Sequence, residues 1–126
     1  MPLRWTIDDT RQTVDIVAEG EVTLADAMAF FDAMERAKAL PYNKLLDGAR
    51  GYAMMTDEEL MAVVARVRSL HSLSVMGALA IAITSEQSHR LARVLGAAAV
   101  ADRPIKVFDD IRQARRWRDA QVTRGL

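Results

Sequence analysis

The stretch Ala78-Leu79-Ala80-Ile81-Ala82-Ile83-Thr84 carries no polar side chain before its last residue. A strand of this kind has no face for water and must be covered on both sides. Such strands belong to parallel sheets, where crossover helices connect neighbouring strands and pack on the sheet. The rest of the chain fits that demand. Its apolar residues recur with a period that switches between about 2 and about 3.6, as strands and helices require.

The first segment reads as a hairpin. Trp5 and Ile7 alternate with Thr6 and Asp8, and Val14, Ile16 and Ala18 alternate with Asp15 and Val17. The polar run Asp8-Asp9-Thr10-Arg11-Gln12 separates them, and Gly20 closes the second strand. Two half-buried antiparallel strands are expected. Thr23 is placed to cap a helix whose stripe is Leu24, Ala27, Met28, Phe31 and Met34, and Pro41 stops it near Leu40. Lys44-Leu45-Leu46-Asp47 reads as a short buried strand ended by Gly48, with a loop over Asp47–Met55. Thr56-Asp57-Glu58-Glu59 has capping-box spacing ahead of a helix with Leu60, Val63, Val64, Val67 and His71 on one face. After the apolar strand, Ser85 is expected to cap a helix burying Leu91, Ala92, Leu95, Ala98 and Ala99. Pro104–Phe108 is the last strand, and Asp109 and Asp110 open the final helix, with Arg115, Arg116 and Arg118 toward its end. Ala114 and Trp117 are spaced to face the sheet. Full burial of Trp117 would make Trp117→Ala cost about 3–5 kcal/mol.

The order is β-β-α-β-α-β-α-β-α: an α/β domain over residues 1–126, with a mixed five-stranded sheet and four helices. The N-terminal strand should lie antiparallel at the edge, with the remaining strands side by side in chain order.

This order resembles the STAS fold of anti-sigma-factor antagonists, and more closely its SpoIIAA-like branch, related to CRAL-TRIO-type lipid-binding domains. Gly20-Glu21-Val22-Thr23 is similar to that family's glycine-then-helix segment. Lys44-Leu45-Leu46-Asp47-Gly48 is similar to its second crossover strand, and Ala80-Ile81-Ala82-Ile83 to its central strand. Ile105-Lys106-Val107-Phe108-Asp109-Asp110, followed by Ala114 and Trp117, resembles its terminal signature. The antagonists carry a phosphorylatable serine after the second crossover strand. Here Asp47-Gly48-Ala49-Arg50-Gly51 has no hydroxyl. The resemblance implies a regulatory or ligand-binding module without that serine switch.

Composition narrows the function further. Lysine and arginine number 17, aspartate and glutamate 17, so the net charge is zero and no basic nucleic-acid surface is expected. Cysteine is absent, which removes disulfides, thiol catalysis and thiolate metal sites. No apolar run reaches the ~18 residues of a membrane span. Met1-Pro2-Leu3-Arg4-Trp5 has no signal-like apolar core. A bacterial, cytoplasmic protein is expected. His71 falls on a helix's apolar stripe and His89 in a helix's first turn, with no partner ligand at metal spacing. No catalytic, metal or cofactor site is expected. The arginines of the last helix read as a solvated face.

The candidate site is Asp47, Gly48, Arg50, Gly51, Tyr52, Met54 and Met55. Gly48-Ala49-Arg50-Gly51 has the GxxG spacing of KH loops but follows a strand, which is the wrong context for that motif. At the carboxyl end of a parallel strand, glycines permit close backbone approach and an arginine can hold an anion. Asp47 and Arg50 could instead pair with each other. Tyr52-Ala53-Met54-Met55 is apolar where a loop is usually polar, so it should cover the core, a pocket or a second subunit. The expected function is a non-catalytic module binding a protein partner, with homodimerisation in view. The alternative is a small carrier for a lipid-like or other apolar molecule. An enzyme using Asp47 and Arg50 is a third, minor reading.

Overall fold

The computed structural model describes residues 2–84, 86–87 and 103–122. The strands are β1 (Leu3–Asp8), β2 (Thr13–Val22), β3 (Asn43–Ala53), β4 (Leu79–Ala82) and β5 (Ile105–Phe108). The helices are α1 (Leu24–Arg36), α2 (Asp57–Leu73) and α3 (Ile111–Ala120). The sheet runs β1-β2-β3-β4-β5, in the expected chain order. β1 pairs antiparallel with β2, and all later pairs are parallel. Three helices lie among the described residues, against four expected. The helix expected after Ser85 falls largely outside them, although Glu86 and Gln87 are helical.

Strand alternation divides the core between the two faces. Val14, Ile16 and Ala18 of β2 join Leu3 of β1, Met34 of α1 and Leu70 of α2 on one face, with Leu46 packed against them. Leu45, one residue away and on the other face, packs with Ala80, Ala82 and Ala114 beneath α3. Ala80, Ile81 and Ala82 of β4 are all buried, as its lack of polar side chains demands.

Helix starts follow their local chemistry. The Thr23 hydroxyl accepts from the Asp26 amide at 3.2 Å, and the Asp26 carboxylate accepts from the Thr23 amide at 2.9 Å. Thr56 and Glu59 form the same reciprocal pair at 3.1 and 2.9 Å. α1 ends at Arg36, before the residue Pro41 would require, because Lys38 takes a left-handed conformation (φ 55°) and turns the chain. Trp117 is half-buried rather than enclosed, with its ring tilted against Phe108 at 6.1 Å, so its truncation should cost less than full burial implies.

Two cations lie where the sequence pattern placed apolar or solvated positions. Lys44 is 3% exposed, and its ammonium donates to the carbonyls of Ala39, Leu40 and Tyr42 at 3.1, 2.8 and 2.8 Å. It ties the turn after α1 to β3. Arg118 is also 3% exposed, so the last helix is not a purely solvated arginine face. It donates to the Val14 carbonyl at 3.2 Å and to the Asp15 carboxylate at 2.7 Å. Arg115 reaches the other Asp15 oxygen at 3.2 Å. Burial raises the Asp15 pKa, but hydrogen bonds and charge from Arg118 and then Arg115 outweigh it and leave it below the usual value. α3 is thereby clamped to β2.

Lys44→Met tests the first of these anchors. The Ala39 and Leu40 carbonyls keep other donors, the amides of Tyr42 and Gly77, so the loss should stay near 1–3 kcal/mol in urea unfolding. Burial, with the Arg103 charge, holds the ammonium well below 10.5. Between that lowered value and 10.5 the unfolded chain binds more protons at this group than the folded one. The stability of the parent relative to Lys44→Met should therefore rise with pH through that window. A gap that shrinks on the way up would contradict the assignment.

Candidate functional site

The segment expected as a loop over Asp47–Met55 is strand as far as Ala53. Its glycines explain the misreading. Val17 pairs with Asp47, but the next pair is Glu19 with Arg50. One β2 residue, Ala18, therefore stands opposite two β3 residues, Gly48 and Ala49. This is a β-bulge, the feature that glycine inside a strand often marks. Beyond it Gly20, Glu21 and Val22 pair in parallel with Gly51, Tyr52 and Ala53. β2 also continues past Gly20, which takes φ +71° instead of ending the strand. Gly51 passes so close to β2 that a Cβ there would lie 2.6 Å from the Ala18 Cβ.

This two-stranded arm extends past the paired ends of β3 and β4 and borders an open cavity of about 430 Å³ at the carboxyl ends of the parallel strands. The sheet contributes Leu3, Ala18, Leu46, Gly48 and Ile81, with Ile83 just past β4, the arm Val22, Gly51, Tyr52 and Ala53, and α2 contributes Leu60. Glu86 and Gln87 complete the described wall. The surface is mostly carbon, and its volume falls within the ~300–1,000 Å³ typical of small-molecule sites.

Gln87 ties the wall together. Its Oε1 accepts from the Thr84 amide at 2.8 Å and from the Thr84 hydroxyl at 3.1 Å. The Thr84 hydroxyl accepts from the Gln87 amide at 3.4 Å. The helix start is therefore capped by Thr84, one residue before the expected Ser85. The Gln87 Nε2 donates to the Gly48 carbonyl at 2.8 Å and also to the Gly51 carbonyl. One side chain thus completes the capping pair with Thr84 and donates to carbonyls at either end of the bulged run. Thr84-Ser85-Glu86-Gln87 has capping-box spacing, so the first role was readable in the sequence; the second joins residues 36 and 39 positions apart and was not.

The expected site residues divide accordingly. Gly48, Gly51 and Tyr52 line the cavity. Asp47, Arg50, Met54 and Met55 are not among the lining residues. Asp47 alternates to the opposite face of β3 from Leu46. Arg50 is exposed and faces Glu19 at 3.6 Å, not Asp47. Met54 follows the arm, donating its amide to the Val22 carbonyl at 2.7 Å, with its side chain exposed. Met55 is half-buried. The Tyr52 hydroxyl donates to Glu21 at 3.2 Å. Loss of water contact, then the hydrogen bond and charge of Glu21, hold this phenol above its ordinary pKa. The wall residues Val22, Leu60, Ile81, Ile83, Glu86 and Gln87 were absent from the sequence-based site. His71 ends α2 half-buried, and His89 lies outside the described residues. Among the described residues, no group of three or more histidines and carboxylates could hold a metal ion, and no helix is long and apolar enough to cross a membrane.

No family model and no curated protein matches this chain. Among solved structures, it is similar to an uncharacterised protein of the DUF3478 family with a SpoIIAA-like fold, from Shewanella loihica PV-4. The TM-score is 0.63 at 19% sequence identity, over 91% of this chain and 92% of that one. The fold is SpoIIAA-like. In this SpoIIAA-like sheet the cavity lies beside Asp47-Gly48-Ala49-Arg50-Gly51, a segment with no hydroxyl side chain.

Gln87→Ala removes the acceptor of the Thr84 amide and hydroxyl and both donations to β3, while the Thr84 hydroxyl keeps the backbone amide of residue 87. Urea unfolding should show a loss of about 1–2 kcal/mol. Amide exchange should quicken at Gly51–Ala53 and remain unchanged in β1. Unaltered exchange in the arm would show that Gln87 does not hold it.

Proposed function

We propose that this protein is a non-catalytic, STAS-like binding module that takes an apolar small molecule in the cavity between the β2–β3 arm, β4 and the start of α2. The observation that carries this reading is the cavity itself, about 430 Å³ with walls of Leu46, Leu60, Ile81, Ile83 and Val22. Apolar surface held around open space gains free energy when an apolar ligand covers it, at about 25 cal/mol per Å². A backbone arm stitched by strand pairing and by Gln87 lets the site exist before the ligand arrives, which lowers the ordering cost of binding.

A second reading has its own support. Tyr52, Met54 and Met61 are all exposed apolar side chains at the arm and on α2. Methionine-rich surfaces adapt to varied partners, so a regulatory module docking a protein, or a second copy of itself, is the alternative. Arg50 faces Glu19 at 3.6 Å rather than Asp47, which gives the enzyme reading no support of its own. A bacterial, cytoplasmic setting accompanies the proposal as an expectation.

The test is uptake of 1-octanol, an uncharged apolar probe, followed by methyl NMR. Binding should shift Ala18, Leu60, Ile81 and Ile83 while methyls under α3, such as Ala114, stay in place. Ala53→Phe adds bulk at the exposed cavity wall, and should abolish the shifts without lowering the melting temperature. Cavity methyls that do not respond in the parent would refute the small-molecule reading. Dimer dissociation on Tyr52→Ser with Met54→Ser, seen by sedimentation, would favour the alternative.

A further inference from the structure

One side of the cavity is a strand edge. The last β3–β4 pair is Asp47 with Ala82, yet β3 runs on to Ala53. The Met54 amide donates to the Val22 carbonyl at 2.7 Å, so Met54 and Tyr52 turn their backbone groups toward β2. Gly51 and Ala53, alternating with them, turn theirs the other way, and both line the cavity. The Gly51 carbonyl shows this directly, because it accepts from the Gln87 side chain. A side-chain amide thus supplies the donor that the backbone of a neighbouring strand would supply. Closer to the sheet the edge is shut, since a Cβ on Gly48 would lie 3.1 Å from the Ile83 Cγ2. The accessible run is therefore Gly51–Ala53, which faces the open space. Strand edges are commonly blunted by lysine, proline or other charge. Gly51-Tyr52-Ala53-Met54-Met55 carries none of these, and Tyr52 and Met54 are exposed.

We propose that Gly51–Ala53 is a docking edge for an extended, apolar segment of a partner protein, which adds as a short strand where β4 has ended. This deepens the partner-docking alternative and rests on it. The backbone of the segment pairs with Gly51 and Ala53 and takes the Gly51 carbonyl over from Gln87. Alternate side chains of the segment enter the cavity against Ile81, Ile83 and Leu60. Main-chain bonds then give affinity and the apolar pocket gives selectivity, the division of labour in strand addition. A purely hydrocarbon occupant offers no donor to the Gly51 carbonyl, and a polar peptide leaves its side chains without partners on the carbon wall. An extended apolar peptide satisfies both surfaces.

The probe is a blocked pentapeptide alternating threonine and valine, added to the full chain and followed by NMR. The Gly51 and Ala53 amide protons should move downfield as they enter hydrogen bonds, together with shifts at the Ile81 and Ile83 methyls. Two derivatives carry N-methyl groups, one on the valines and one on the threonines. In an added strand only alternate amides face the edge. One derivative should therefore bind about tenfold or more weakly, and the other nearly as well as the unmethylated peptide. Gln87→Met keeps bulk in the wall and frees the Gly51 carbonyl. The peptide should then bind about three- to tenfold more tightly, with 1-octanol little changed. Equal losses from both methylated derivatives would overturn strand pairing and leave the docking reading standing. Weaker peptide binding to the Gln87→Met variant would overturn the exchange of Gln87 for peptide backbone. Silence toward the peptide would overturn the proposal outright, while sedimentation of the Tyr52→Ser, Met54→Ser variant would still decide docking of a second copy.

Discussion

The contact between Gly51 and Ala18 is the constraint on which the site depends. A side chain at position 51 would begin 2.6 Å from the Ala18 Cβ and 2.9 Å from its carbonyl carbon. Glycine there lets β2 and β3 resume parallel pairing after two β3 residues have passed one β2 residue. Without that resumption the chain would leave the sheet at Gly48 and no arm would project over the apolar face. Pairing of β3 with β4 ends at Asp47, and beyond it Gln87 supplies donors to the Gly48 and Gly51 carbonyls. Strand geometry, bulge and helix cap are thus one mechanical unit.

The opposite end of the sheet is held by polar anchors. Lys44 gathers three carbonyls of the turn after α1. Asn43, beside it, donates to the Gln121 carbonyl at 3.1 Å and accepts from the Ala78 amide at 2.9 Å, joining β3 to the start of β4 and the end of α3. Arg118 binds β2 through Asp15 and the Val14 carbonyl. Buried polar groups hold a fold only when their partners are supplied, and these are. Anchors at the amino ends of the parallel strands leave the carboxyl ends to carry the open space, where ligands of α/β sheets characteristically bind.

The likeness to the Shewanella loihica protein extends over most of both chains at low identity, so it speaks to architecture. In this chain the site is built by a few positions: the glycines of the bulge, the apolar residues of the arm and the side chain of Gln87. Here residues Asp47 to Ala53 continue as strand, and Gly48, Gly51, Tyr52 and Ala53 form part of the cavity wall.

The amino-acid sequence alone determined the order of elements. Periodicity is local, so alternation in β1 and β2, the apolar run of β4, and the Thr23 and Thr56 capping boxes could be read without knowing any neighbour. It also pointed to Gly48, Gly51 and Tyr52, because glycine and exposed apolar residues are unusual in their local context. Tertiary structure decided what those residues do. Glycine near Asp47 is equally compatible with a loop and with a bulged strand, and only the availability of β2 as a partner makes it strand. Lys44 and Arg118 have the spacing of an ordinary strand and a solvated helix, and their burial follows from carbonyls and a carboxylate distant in sequence. The cavity wall combines residues from Leu3 to Gln87. No local pattern encodes that meeting, because it arises from which strand ends the sheet brings together.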